Sequence, residues 1–60
     1  MPTELIKDFI GKNCSFSMID SSFGFTGVIQ EIQDNWLKVE TNGKIKKLIN
    51  ADMIVGITEV

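Results

Sequence analysis

The sequence predicts a mostly β domain: a short N-terminal helix followed by a five-stranded, strongly bent antiparallel barrel. Three observations carry that prediction. Of the 60 residues 43% are hydrophobic, and Ile, Val and Phe supply much of that share. Such β-branched and aromatic side chains favour strands. The apolar period changes from about 3.6 to 2 at Asn13. Beyond it, turn signals at Asp20–Ser22, Asp34–Asn35, Asn42–Gly43 and Asn50–Asp52 divide the chain into five short runs. A net charge of only −2 sets the chain apart from disordered compositions.

The helix is expected over residues 3–10. Thr3 can cap it, Pro2 stands where a proline does no harm, and Glu4 favours the first turn. Leu5, Ile6, Phe9 and Ile10 make its apolar face, and Gly11 suits its end. Two turns are not stable alone, so that face must dock on the rest. Cys14, Phe16 and Met18 then alternate with polar residues as a half-buried first strand. The second strand runs from about Phe23 to Gln33. Gly24 and Gly27 mark a bend, and Ile29 and Ile32, three apart, imply a bulge. Trp36–Thr41 is the third strand, with Leu37 and Val39 on one face. Asn42-Gly43 suits a two-residue type I′ turn into a fourth strand, Lys44–Ile49. Asn50-Ala51-Asp52 makes a turn of 3₁₀ type, and Met53–Val60 is the fifth strand. A bent second strand lets one sheet curl over itself and close, which removes its edges.

Length and composition limit function. The chain reads as one domain, 1–60, with no room for a second. A core this small rarely supplies more than a few kcal/mol. There is no His, so the commonest general base and metal ligand is missing. The lone Cys14 forms no intrachain disulfide and falls on the core face of its strand, which reads as an inert thiol. A small domain without staples points to a reducing, cytoplasmic setting. The N-terminal stretch lacks the basic start of a signal peptide, and no run approaches a membrane span. The acids are scattered, with no pair singled out. No catalytic residue, metal or cofactor is expected, and the chain reads as a non-enzymatic binding module.

Two sets of residues remain as binding candidates. Lys44, Lys46 and Lys47 are the one local positive field, extended by Lys12 and Lys38, and Trp36 could stack a base. Against phosphate stands the absence of Arg and a pI near 4.8. The last strand carries Ile54, Val55, Ile57 and Val60, apolar on both faces, which points to another chain as cover and a homo-oligomer as the working unit. The alternative to a nucleic-acid ligand is a protein partner docked on the apolar edge or on Trp36.

The order of elements and two segments resemble the Sm-like family of small SH3-like barrels, which includes Sm proteins and the bacterial RNA-chaperone branch. Gly27-Val28-Ile29-Gln30-Glu31-Ile32-Gln33-Asp34 is similar to the first Sm motif. Asn50-Ala51-Asp52-Met53-Ile54-Val55-Gly56-Ile57 is similar to the turn and final strand of the second. The resemblance implies assembly through the last strands and single-stranded RNA as ligand. It makes Asn35 the nearest match to the family's base-contacting Asn. Val55-Gly56 stands where the family has Arg-Gly, and Ile49-Asn50 where the bacterial branch has Lys-His.

Overall fold

A computed structural model describes residues 2–22 and 24–60. Phe23, expected to open the second strand, lies outside the described residues. The chain forms α1 (Thr3–Ile6), η1 (Lys7–Phe9), β1 (Asn13–Met18), β2 (Phe25–Gln33), β3 (Trp36–Thr41), β4 (Ile45–Asn50), η2 (Ala51–Met53) and β5 (Ile54–Glu59). All strands join one antiparallel sheet in the order β4-β3-β2-β1-β5. Mostly β character, the leading helix and the strand count match the expectation.

The expected helix is tighter and shorter than its periodicity implies. One turn of α-helix passes into 3₁₀ at Lys7, and Pro2, not Thr3, occupies the N-cap position without a side-chain cap bond. The 3₁₀ geometry turns the apolar face, so Ile6 is buried and Phe9 half-buried while Leu5 and Ile10 face solvent. Gly11 then adopts φ +84°, and its N–H donates to the Ile29 carbonyl at 2.9 Å. That bond, with the Ile10–Ile29 bridge, ties the helical segment to the middle of β2.

β2 bends where its glycine and bulge were expected. A Cβ on Gly27 would lie 2.7 Å from Val39 Cγ1 and 2.9 Å from the Glu40 carbonyl oxygen, so β2 and β3 close on each other there. The β2–β3 register shifts between Ile29 and Glu31, leaving Gln30 as the extra residue. Asn42 and Gly43 both take positive φ, as the type I′ signal requires. Pairing resumes at Thr41–Ile45, so Lys44 stays in the turn and the fourth strand starts one residue later than expected. The fifth begins at Ile54 because η2 takes Met53.

The curl of the sheet follows from connection length. β4 and β5 are its two edges, which in a flat sheet would stand roughly 19 Å apart, four steps of about 4.8 Å. Only η2 joins them. Three residues of 3₁₀ helix rise about 6 Å in total. The sheet must therefore curl until its edges approach at Asn50 and Ile54. One core results, in which Ile49 of β4 and Ile54 of β5 join Ile6, Cys14, Phe16, Ile29, Leu37 and Val39. Phe16 stacks on Phe25, with ring centroids 4.9 Å apart.

Closure is where the structure departs from the expected barrel. Among the described residues no ladder joins β4 to β5, and the sheet stays open. Burial on the core side of each edge falls away from the junction. Ile49 is buried, whereas Lys47 and Ile45 are exposed. Ile54 is buried, Ile57 half-buried and Glu59 exposed. The edges meet at η2 and diverge toward the far ends of both strands.

Candidate functional site

The open edges form the first candidate region. β4 bonds to β3 and β5 to β1, and each leaves its other side unpaired among the described residues. An unpaired edge presents a row of N–H and C=O groups able to take another strand. Apolar side chains accompany both. On β4 Ile45 is 54% and Leu48 70% exposed. On β5 Val55 is 58% exposed, and Val60, just past the strand, is 67% exposed. Val55 owes its exposure to a second bulge. The β1–β5 register passes from Ser17–Gly56 to Met18–Ile54 and leaves Val55 unpaired. Of the four expected interface residues, Val55 and Val60 are thus on the surface. Ile57 is half-buried beside the core, and Ile54 is a core residue at 3% exposure.

Charge divides between the edges. Lys46 and Lys47 lie on β4, with Lys44 just before it and no acid on the strand. β5 carries Glu59 and no base. Glu59 forms an ion pair with Lys12, Nζ 3.6 Å from Oε1, an exposed pair worth well under 1 kcal/mol.

The outer face of β2, β3 and β4 is the second region. Register sets Gln33 beside Trp36 and Trp36 beside Asn50 in one row. Glu31, Lys38 and Leu48 make the next row. Trp36, 48% exposed, and Leu48 are diagonal neighbours, within reach of an aromatic ring. With Glu31, Gln33 and Lys38 they line an open concavity of about 270 Å³.

Of the candidate lysines, Lys38 lines the concavity with Trp36 and the others stand apart from it. Lys38 Nζ lies 4.0 Å from Glu31, and Lys46 is paired across the strands with Glu40. Lys47 is on the opposite face, its Nζ 4.7 Å from the centroid of the Phe25 ring. Lys44 is in the β3–β4 turn. Asn35 is half-buried and engaged. Its Nδ2 donates to Asn50 Oδ1 at 2.8 Å, and its carbonyl accepts from Ala51 N–H at 2.8 Å. Asn50 Oδ1 also accepts from Asp52 N–H at 2.9 Å, which caps η2. The sequence marks Asn50 only as a turn residue. Its second role depends on the pairing of β3 with β4, which no local spacing shows.

Cys14 is fully buried, and its Sγ donates to the Lys12 carbonyl at 3.4 Å. Burial, and next the charge of Glu59, push the thiol above its usual range, with Lys12 opposing. It therefore stays protonated, which is the wrong state for a nucleophile. No helix among the described residues is long and apolar enough to cross a membrane.

Comparison with known proteins finds no matching family model, no matching curated protein and no matching solved structure.

Proposed function

We propose that the chain is a non-enzymatic, Sm-like binding module that works as an assembly of its own copies, joined strand to strand through β4 and β5. The observation that carries this is the pair of open edges, each lined by exposed apolar side chains. A single chain leaves both uncovered. Edge addition would bond the free N–H and C=O groups and cover Ile45, Val55 and Ile57 together. The strand order, the leading helix and the short η2 between the last strands support the Sm-like reading. Assembly also answers the small core, since it adds buried apolar area that 60 residues lack. Light scattering after size exclusion tests this. Oligomers at micromolar concentration are expected, and a clean monomer at several hundred micromolar overturns the reading.

The ligand favoured by the geometry is a protein surface at Trp36 and Leu48, not phosphate backbone. Around Trp36 the charges cancel, since Lys38 stands by Glu31. Phosphate recognition needs an excess of positive charge, and its affinity falls steeply with salt. Oligo-A and oligo-U are therefore expected to leave Trp36 fluorescence unchanged at low salt. Quenching that disappears as salt is raised would restore RNA as the ligand.

A further inference from the structure

We propose that Asn42-Gly43 is a modification site: the Gly43 nitrogen closes onto the Asn42 side chain, expels ammonia and leaves aspartate or isoaspartate at position 42. The reaction needs one folded chain and water, and no second copy.

The chain has four asparagines, and three are held away from this chemistry. Asn13 enters β1, and its successor Cys14 is paired on both sides, with Gly27 and with Glu59. Asn35 Nδ2 donates to Asn50 Oδ1, and the bulky Trp36 follows. Asn50 Oδ1 accepts two hydrogen bonds, and the next N–H, that of Ala51, donates to the Asn35 carbonyl. Asn42 differs on each count. Asn42 and Gly43 are both exposed. Among the described residues neither the Asn42 side chain nor the Gly43 N–H enters a hydrogen bond. A Cβ on Gly43 would meet nothing within 4 Å, so open space surrounds the attacking nitrogen. One main-chain bond closes the turn, Lys44 N–H to the Thr41 carbonyl at 3.2 Å, the long end of the usual range. The conformational freedom of Gly43 then lets the main chain rotate until its nitrogen faces the carboxamide.

The chemistry balances without oxidant or reductant. Hydroxide takes the Gly43 N–H proton, and the nitrogen's electron pair forms a bond to Asn42 Cγ. The Cγ–Nδ2 bond breaks, and ammonia leaves with a proton from water, which returns the hydroxide. Water then opens the five-membered succinimide at either carbonyl. Opening at Cγ gives aspartate, and opening at the main-chain carbonyl gives isoaspartate. Either product sets a carboxylate just before Lys44, Lys46 and Lys47 and makes the net charge of −2 one unit more negative. Isoaspartate also adds one carbon to the main chain inside the turn. That extension acts on the Thr41–Ile45 pair, where buried Thr41 donates from Oγ1 to the Ile45 carbonyl at 3.4 Å.

Prolonged incubation of the full chain at neutral and mildly alkaline pH tests the site, with a parallel sample unfolded in urea. Anion exchange separates species of added negative charge, and peptide mapping by mass spectrometry locates the change. The folded chain is expected to convert progressively to species one charge more acidic, faster in proportion to hydroxide, with the change confined to Asn42. Asn42→Gln keeps the amide but would need a six-membered ring, so the acidic species should vanish. A folded chain that stays unchanged overturns the proposal, whether or not the unfolded sample converts. So does conversion mapped to Asn13, Asn35 or Asn50, or an undiminished acidic species in Asn42→Gln. The position is read on the wild type, so a folding defect in the variant leaves the result decided.

Discussion

Gly27 carries more of the architecture than any neighbouring side chain. The bend of β2 brings its Cα so close to β3 that a Cβ would meet Val39 Cγ1, the Glu40 carbonyl and Thr41 Cγ2 within 3.0 Å. A side chain can shift, but a carbonyl held in a ladder cannot. Gly27→Ala is therefore expected to cost about 1–3 kcal/mol in urea unfolding. A loss below half a kcal/mol would show that the bend tolerates a side chain. A glycine in a strand pattern made this bend legible, but the atoms that enforce it come from β3 and only the fold reveals them. Cys14 was legible too, since alternation alone places it inward. Its raised thiol has a consequence for pH. The native state holds the proton more tightly than the unfolded chain, whose thiol titrates near 9.0. Above that pH the unfolded form releases its proton first, so this contribution to stability falls as pH rises. Between pH 8.5 and 10 the wild type is expected to lose stability more steeply than Cys14→Ala. Parallel slopes in the two proteins would contradict the assignment.

Among elements, the strands were readable and the helical pieces less so. β1 and β3 follow simple alternation because one face is buried and the other is wet. The bulge at Gln30 was visible as a three-residue spacing of isoleucines. The N-terminal helix misled, because Leu5, Ile6, Phe9 and Ile10 fit a helical face although the short docking site accepts only Ile6 and Phe9. At the other end, η2 depends on a side chain outside it. Asn50 Oδ1 accepts from Asp52 N–H and from Asn35 Nδ2, joining the 3₁₀ turn to the β2–β3 turn. Asp34, with φ 55°, opens that turn and lets Asn35 reach back. Removing both acceptor bonds in Asn50→Ala is expected to cost about 1–2 kcal/mol. Asn50→Asp keeps an acceptor for both donors and should cost less than half as much. Equal losses for the two substitutions, by chemical denaturation, would mean that packing and not hydrogen bonding holds η2.

At the scale of the molecule, the number and order of strands were open to inference, but closure was not. Closing a sheet depends on whether the two edge strands lie side by side along their length. Here η2 draws them together at one end only, and Ile45 and Glu59 remain apart from the core. Of the apolar side chains of the last strands, Ile49 and Ile54 are thereby committed to the chain's own core, with Ile57 half-buried beside it. Ile45, Leu48, Val55 and Val60 are left to solvent in a single copy. If copies cover that surface, folding and assembly are linked by mass action, because the partner binds only the folded edge. Raising protein concentration a hundredfold above the dissociation constant then adds about 2.7 kcal/mol. For a domain of this size each kcal/mol raises the unfolding midpoint by about 4–8 °C. The thermal midpoint is therefore expected to climb by ten degrees or more between 1 and 100 µM if the dissociation constant lies near 1 µM. Calorimetry at a series of concentrations measures it. Lys47→Glu, a change on the exposed β4 edge, should flatten the dependence toward the value of the isolated chain. A midpoint that stays constant across that range in the wild type would mean that the open sheet is stable unaided and its edges are not held by a second copy.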